Sequence, residues 1–340
     1  MTNQSSAIEV IVPTYRRPNH LERCLRALSE QSLQPDRVIV VTRASDPEST
    51  AVVDRHPDPQ RTTIASVVVN EPGVIAAMAA GVAISSTPLV AFTDDDARPR
   101  PDWLERIVRH FSDPTVGGVG GRDVLPAASA APSTSHVGYF APWGKLYGNH
   151  HLGYGPAREV HVLKGVNMAF RLDALALPRP DILRGTGAQV DFEVMMCRWA
   201  RLQGWRLLFD PAVLVDHDAA PRTGPDRRQN PAPEAVSDYA YNALTAITAL
   251  RPAVLAQLLY TVVVGARGRP GPLRAALGLI RGEDDVVARF PPAMNGYAAA
   301  ARDALVRRRR PDDPIMVTAD QLRSQAQTSA LPPRRRESGS

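Results

Sequence analysis

Residues 89–96 read Leu-Val-Ala-Phe-Thr-Asp-Asp-Asp, a short apolar run that ends in three carboxylates. A run of this length, rich in β-branched and aromatic residues, is typical of a buried strand. Three similar runs lie upstream at residues 8–12, 38–41 and 64–69, and helical patterns separate them. Strands that alternate with helices form βαβ units. The sequence therefore predicts an α/β fold with a mostly parallel central sheet flanked by helices.

The carboxyl ends of these strands are where a ligand is expected, because the crevice of an open parallel sheet lies there. The turn at residues 13–18 and the triplet Asp94, Asp95 and Asp96 should therefore meet at one site. Three adjacent carboxylates repel one another unless a cation or hydrogen-bond donors compensate. Bound Mg²⁺ or Mn²⁺, with phosphate oxygens as further ligands, fits a nucleotide-diphosphate substrate. A solvated acidic turn is the alternative interpretation.

Length and composition bound the class of protein. The chain has 340 residues, of which 44% are hydrophobic and 22% are charged, which excludes an intrinsically disordered protein. It contains no apolar run near the ~20 residues of a conventional membrane span. The polar start runs directly into a strand pattern, so we expect no signal peptide and a cytoplasmic location. Cys24 and Cys197 are too few and too far apart for a disulfide framework.

The positive charge is concentrated near the carboxyl terminus. Residues 264–310 carry ten arginines against four acidic residues, within a chain whose net charge is +5. They lack the interleaved aromatic residues that stack on bases, which favours an anionic membrane surface over nucleic acid as partner. The apolar run at residues 253–266 would be about 21 Å long as a helix, too short to cross a bilayer but able to lie on one peripherally. Packing against the rest of the protein is the alternative.

Composition shifts predict four parts. Residues 1–220 are expected to form the α/β catalytic domain that carries the strand-end site, and residues 221–233, rich in Pro, Arg and Asp, a linker. A helical, basic extension is predicted at residues 234–310, followed by a partly disordered tail at 311–340. A Pro-, Ala- and Ser-rich stretch at residues 126–135 predicts a mobile loop.

Four segments resemble, in order and spacing, the family 2 glycosyltransferases of the GT-A fold. They are residues 8–17 (IEVIVPTYRR), residues 91–96 with Trp103-Leu104, residues 164–171 (KGVNMAFR), and residues 190–193 (VDFE) followed by Gly204-Trp205 and Val215-Asp216-His217. The resemblance covers roughly residues 8–220. It implies a GT-A-like fold, a nucleotide-sugar donor, Mg²⁺ or Mn²⁺ as cofactor, and inverting transfer to the hydroxyl of a glycan or lipid-linked acceptor.

The resemblance also implies roles for single residues. Asp191 would be the catalytic base, with an ordinary helix cap as the alternative. Since Val190 stands where the family usually has Glu, either Asp191 works alone or Glu193 shares its role. Asp94, Asp96 and His217 would bind the metal, although a lone His at a strand end is often structural. The turn after the second strand, Thr42-Arg43-Ala44-Ser45, lacks the usual acidic residues. The expected donor-binding residues are Pro13, Thr14, Tyr15, Arg17, Arg43, Asp94, Asp95, Gly165 and Asn167.

Two other functions remain open on the sequence. A nucleotidyltransferase would also need metal-binding carboxylates, but it would need a Gly-rich loop after the first strand, and residues 13–18 contain no glycine. A non-catalytic carbohydrate- or lipid-binding protein on a decayed transferase fold is compatible with Val190 and with the altered second turn. Metal-dependent transfer from a nucleotide sugar distinguishes the enzyme from both.

Overall fold

The computed structural model describes residues 7–55, 62–126, 133–220, 231–250, 254–308 and 314–330. Most of the predicted loop at 126–135 and of the predicted linker at 221–233 lies outside the described residues, as does the end of the predicted tail at 331–340.

Strands and helices alternate through the first half of the chain, as predicted. The described strands are β1 (Ile8–Pro13), β2 (Arg37–Arg43), β3 (Ile64–Val69), β4 (Leu89–Phe92), β5 (Ala97–Pro99), β6 (Val116–Val124), β7 (Tyr139–Phe140), β8 (Leu146–Tyr147), β9 (Arg158–Glu159), β10 (Met168–Arg171), β11 (Ala176–Pro178), β12 (Arg206–His217), β13 (Gly265–Ala266), β14 (Arg269–Pro270) and β15 (Met316–Thr318). The described helices are α1 (Pro18–Ser29), α2 (Pro47–Asp54), α3 (Val74–Ala83), α4 (Trp103–His110), α5 (Phe192–Leu202), α6 (Pro233–Thr248), α7 (Leu255–Leu259), α8 (Pro272–Arg281), α9 (Asp284–Ala288), α10 (Phe290–Arg308) and α11 (Ala319–Ala330).

Nine strands form one sheet within the described residues, in the order β3-β2-β1-β4-β10-β6-β12-β5, with β9 beside β12. The pairs β1–β2, β2–β3, β1–β4 and β6–β12 are parallel, whereas β10 runs antiparallel between β4 and β6. Six of the nine strands therefore point the same way, which confirms the mostly parallel sheet. The carboxyl ends of β1, β4, β6 and β12 lie at one edge and define the site.

The central strands are apolar without interruption because both faces of the sheet are covered. Residues of β1 and β4 are buried on both faces, and helix α1 turns a stripe of Leu21, Cys24, Leu25 and Leu28 toward them. This i, i+3, i+4, i+7 spacing is the apolar face of an amphipathic helix. Pro18 suits the first turn of α1, because a backbone N–H at that position would have no acceptor within the helix and proline has none to leave unpaired.

Strands β6 and β12 pack unusually closely. A Cβ on Gly121 of β6 would lie only 1.9 Å from the carbonyl oxygen of Val213, so only glycine fits there. The sequence predicts separate strands at residues 205–209 and 213–215, but β12 is continuous and accommodates the intervening residues by a shift in register between Asp210 and Leu214. The new register pairs Val215 with Asp123, which brings the end of β6 beside His217.

The carboxyl-terminal half confirms a helical extension but differs in detail. The predicted helix at 253–266 is a short α7 followed by a π-helical turn at Tyr260–Val264, and β13 begins at Gly265. The long helix α10, which the sequence analysis missed, packs along α6. Tyr241 and Tyr297 are buried between the two helices, and a Cβ on Gly296 would lie 2.0 Å from the carbonyl oxygen of Ser237 in α6. No helix among the described residues has the length and apolar content to cross a membrane.

Residues 314–330 of the predicted tail form a strand and a helix. Strand β15 pairs antiparallel with β11, and α11 packs against α3. Met316 and Ala319 are buried there in the main core. The apolar residues in this segment are few, so their burial depends on partners more than 130 positions earlier in the chain, which a local pattern does not reveal.

Candidate functional site

The loop after β4 carries the three carboxylates, and Asp95 is held by the turn after β1. Thr14 donates from Oγ1 to Asp95 Oδ2 at 2.8 Å, and Arg17 Nη1 lies 3.0 Å from Asp95 Oδ1. The same Arg17 nitrogen lies 3.3 Å from Asp96 Oδ2. The structure therefore brings the two predicted segments together, and Arg17 and Thr14 compensate the charge of Asp95.

Asp94, Asp96 and His217 form a group that could hold a metal ion. One ligand atom of each residue lies within 4.8 Å of the others. Asp96 Oδ2 accepts a hydrogen bond from the backbone N–H of Ala220 at 2.8 Å. Asp96 Oδ1 and both ring nitrogens of His217 are buried and make no hydrogen bond of normal geometry, although Asp96 Oδ1 lies 3.3 Å from His217 Nε2. Buried polar atoms are rarely left unpaired. These donor atoms, two carboxylates and an imidazole, suit a divalent cation such as Mn²⁺ or Mg²⁺.

Asp123, near the end of β6, contacts His217 of this group. The sequence analysis missed this residue. Its side chain is fully buried, its Oδ2 lies 3.6 Å from His217 Nδ1, and it forms an ion pair with Lys164 Nζ. A carboxylate behind a metal-binding histidine orients the ring and fixes its tautomer. The available signal was a carboxylate that ends the predicted strand at residues 116–125.

The electrostatics of the group favour a bound positive charge. Burial raises the pKa of Asp94, and repulsion from Asp96 adds to this effect. Burial alone would raise the pKa of Asp96 and lower that of His217. The attraction between them, together with the amide of Ala220 for Asp96 and with Asp123 for His217, outweighs it, so the pKa of Asp96 falls and that of His217 rises to about 9. The protonated form of His217 is thus favoured beside Asp94, Asp96 and Asp123. A divalent cation at this place would compensate the same negative charge.

Tyr15 and Arg43 form an accessible face at the ends of β1 and β2. The Tyr15 ring is 38% exposed, and the Arg43 guanidinium lies 4.6 Å from its centre. Behind them Asp46 is buried and accepts hydrogen bonds from the backbone N–H groups of Arg16 and Ser49. The turn after β2 therefore does contain an acidic residue, which the sequence analysis overlooked, but its carboxylate caps α2 and holds the β1–α1 turn.

Asn167 does not belong to an open site. Its side chain is fully buried, its Oδ1 accepts from Trp103 Nε1 at 2.8 Å, and its Nδ2 donates to the carbonyl oxygens of Arg122 and Val213. All of its polar atoms are used inside the protein, so we correct its expected donor-binding role to a structural one. Pro13, another predicted donor-binding residue, is the last residue of β1 and lies opposite Val41 of β2.

Asp191 lies at the amino end of α5 in a left-handed conformation, with φ of 72°, which is uncommon for a residue other than glycine. Its side chain makes no cap hydrogen bond. Instead, Arg269 of β14 donates to both carboxylate oxygens, at 2.6 and 3.2 Å. This bidentate pair joins the carboxyl-terminal extension to the predicted catalytic helix.

Glu193 lies in the first turn of α5 and points toward the segment before β10. Its Oε1 accepts a hydrogen bond from the backbone N–H of Gly165 at 3.4 Å, so the structure places these two predicted site residues in contact. Burial raises the pKa of Glu193 to about 7, and the charges of Asp191 and Asp94 contribute in the same direction. The pKa of Glu193 is therefore suited to accepting a proton near neutral pH.

Comparison with known proteins agrees with this geometry. Residues 9–175 match the sequence profile described as Glycosyl transferase family 2. The chain is 32% identical over 155 residues to a pre-mycofactocin glycosyltransferase of Mycobacterium tuberculosis, covering 44% of this chain and 31% of that protein. It is 27% identical over 133 residues to the O-antigen chain rhamnosyltransferase RfbN of Salmonella typhimurium, covering 39% and 42%. The chain thus spans less than half the length of these relatives.

A solved structure shows the same fold. The mannosyltransferase PcManGT from Pyrobaculum calidifontis, in complex with GDP-Man and Mn²⁺, superposes with a TM-score of 0.53 at 19% sequence identity. The match covers 88% of this chain and 86% of that one. At this identity the likeness confirms the GT-A fold.

We predict that Asp123→Asn weakens Mn²⁺ binding about 10- to 100-fold, because an amide neither pairs with Lys164 nor holds the His217 ring as a carboxylate does. Calorimetric titration with Mn²⁺ measures the change. The matched control is Asp210→Asn, which alters another Asp–His pair, with His110 at 2.8 Å, outside the site. Equal Mn²⁺ affinity in Asp123→Asn and in the unmodified protein would exclude this supporting role.

Proposed function

Residues 9–175 belong to glycosyl transferase family 2, and from this premise we propose that the chain is a metal-dependent glycosyltransferase. It would move a sugar from a nucleotide-diphosphate donor to an acceptor hydroxyl, with inversion at the anomeric carbon. The observation that carries the proposal is the group of Asp94, Asp96 and His217, whose ligand atoms lie within 4.8 Å of one another at the carboxyl end of the parallel strands. This is where an open α/β sheet binds its ligand.

These three residues would hold Mg²⁺ or Mn²⁺, which when bound supplies a Lewis acid that stabilises the charge of the departing diphosphate. Around the group, Thr14, Arg17 and Asp95 fix the β1–α1 turn against the carboxylates. The exposed ring of Tyr15, with Arg43 beside it, offers a flat cationic surface for the nucleotide. The neighbour from Pyrobaculum calidifontis was solved with a nucleotide sugar and Mn²⁺, which supports this class of donor and cofactor.

Inverting transfer needs a base to remove the proton of the acceptor hydroxyl. We assign this role to Glu193, since its pKa near 7 leaves a substantial fraction ionised and basic at neutral pH. Asp191 is the other predicted base, but Arg269 already donates to both of its oxygens. Asp191 would instead orient the acceptor together with Arg269.

The acceptor is proposed to be a glycan or a lipid-linked molecule. The relative from Salmonella typhimurium is named as an O-antigen chain rhamnosyltransferase, which supports a role in cell-envelope polysaccharide synthesis.

The proposed donor reaction predicts metal-dependent release of nucleotide from one member of a panel of UDP-, GDP- and dTDP-sugars. Chelation should stop the reaction, and Asp96→Asn should reduce it by several powers of ten, because an amide does not neutralise a cation. A coupled assay of nucleotide release measures both effects, with the exposed Asp320→Asn as control. Full activity of folded Asp96→Asn in chelator would remove the metal from the reaction.

The base assignment predicts that Glu193→Gln lowers kcat about 10²- to 10⁴-fold while donor affinity is retained, since the base acts on the acceptor. Activity of the unmodified protein should rise with pH through about 7, because Glu193 loses its proton over that range. Steady-state kinetics across pH, with donor binding measured separately, test both points. A larger loss of kcat in Asp191→Asn than in Glu193→Gln would transfer the role to Asp191.

We also propose that the extension rests on a membrane surface. Helix α7 with its π-helical turn exposes one apolar stripe, and α8 beside it exposes another; the stripes consist of Leu255, Leu259 and Val263, and of Leu273, Leu277 and Ile280. Leu255 is 67% and Ile280 80% exposed. Aliphatic stripes on adjacent helices suit shallow insertion among lipid chains.

Charge contributes less to this surface than the sequence suggests. Arg267 is paired with Asp285 at 3.1 Å, and four of the ten arginines counted in the sequence, those at 307–310, lie partly outside the described residues. The exposed Arg281 at the end of α8 stays available for anionic headgroups.

Liposome flotation tests the membrane proposal. The unmodified protein should float with vesicles, more strongly when they contain anionic lipid, and Leu277→Ser/Ile280→Ser should reduce partitioning at least about tenfold through the lost apolar burial. Leu202→Ser removes an exposed leucine of α5 as the control. Failure of the unmodified protein to float with any vesicle would contradict the proposal.

A further inference from the structure

A cavity of about 90 Å³ lies beside Asp191, between the predicted catalytic region and the carboxyl-terminal helices. Four parts of the chain form it: the β7–β8 hairpin, the start of α5, the carboxyl-terminal part of α6, and the segment from the π-helical turn to β14. Its apolar side includes Phe140, Leu146, Val194, Ala246 and Ile247, and the hydroxyl-bearing residues Tyr260 and Thr261 also line it.

The charged residues that line this cavity, among those the structure describes, are Asp191 and Arg269, and they neutralise each other as an ion pair. The pair is firmly placed, because the hydroxyl of Tyr297 donates to the carbonyl oxygen of Arg269 at 2.9 Å. A cavity whose two charged residues neutralise each other does not favour an isolated phosphate or carboxylate, since an unpaired charge is costly to bury.

The extension contributes a fixed wall of the cavity. Gly144, in the β7–β8 hairpin, has φ of 94°, and a Cβ there would lie 2.0 Å from the carbonyl oxygen of Ala256 in α7. Hairpin and helix thus meet backbone to backbone beside the cavity. Asp191, which lines the cavity, lies two residues before Glu193, and its charge is close enough to raise the pKa of Glu193. The side chain of Glu193 does not line the cavity itself and contacts Gly165 instead.

We infer that this cavity binds the acceptor, and that it selects an acceptor whose reactive hydroxyl lies next to an apolar group, either an alkyl chain or an aromatic ring. The inference rests on the proposed transferase function and adds its acceptor class. Asp191 and Arg269 hydrogen-bond the polar end of the acceptor beside Glu193, and the aliphatic wall takes up the apolar group. Each methylene buried there strengthens binding about fourfold.

Calorimetric titration with three glycosides of one sugar tests this selection: methyl, phenyl and n-octyl β-D-glucopyranoside, the last below its micelle concentration. We expect the phenyl or the octyl glycoside to bind at least about tenfold more tightly than the methyl glycoside, and the stronger of the two identifies an aromatic or an alkyl acceptor group. Ala266→Trp, which fills the cavity from its exposed rim, should remove this gain, and Thr261→Phe provides a second filling variant.

Matched variants separate the cavity from other apolar surfaces. Ala298→Trp, on an exposed position of α10 outside the cavity, and Leu277→Ser/Ile280→Ser, on the outer apolar stripe, should keep the gain. Equal binding of all three glycosides, or a gain that survives both filling variants or disappears only in the α8 variant, would overturn the inference. Binding of Mn²⁺ with UDP, GDP and dTDP is measured in parallel. Its absence in the unmodified protein counts against the proposed function, whereas normal nucleotide binding without selection among glycosides counts against the acceptor pocket alone.

Discussion

Three consecutive carboxylates at the end of one buried strand are the constraint around which the site is arranged. They repel one another, and each is compensated differently. Asp95 is neutralised by Thr14 and Arg17, which ties the β1–α1 turn to the β4 loop. Asp96 draws in the amide of Ala220 and His217, which fixes the end of β12. Asp94 has the fewest partners among them, and its raised pKa indicates a group that a cation would stabilise.

The charges around these carboxylates are also balanced by residues that do not touch substrate in our proposal. His217 is backed by Asp123, which is in turn paired with Lys164, the residue before Gly165. Gly165 contacts Glu193 through its backbone N–H. A continuous set of contacts therefore links the carboxylates of β4 to the first turn of α5. Removal of one charge from this set leaves another buried and unpaired, which is more costly than the loss of a surface ion pair.

The sequence predicted those features that depend on local pattern. Apolar runs located the strands, and the triplet at residues 94–96 located the edge of the sheet where ligand atoms converge. It did not predict Asp123, because the contact with His217 depends on the shifted register of β12. Asn167 was misassigned since its amide is used by Trp103, 64 residues away.

The carboxyl-terminal half was less predictable for the same reason. Arg269 lies 78 residues from Asp191 in sequence, and nothing in its neighbourhood indicates a partner. Helix α10 begins with Phe290-Pro291-Pro292 and is rich in alanine, so its apolar face is indistinct. Its burial follows from the glycine at position 296, which lets α6 approach. Such pairings across the chain are set by tertiary packing, on which periodicity carries no information.

The central claim, that the carboxylates after β4 bind the donor diphosphate through a divalent metal, is tested most directly by crystals grown with Mn²⁺ and a nucleoside diphosphate. The account predicts an anomalous manganese peak at about 2.0–2.3 Å from oxygens of the β4 carboxylates and from a ring nitrogen of His217, with diphosphate oxygens completing the coordination. A bound diphosphate without manganese at these residues, or a manganese peak elsewhere on the protein, would contradict it.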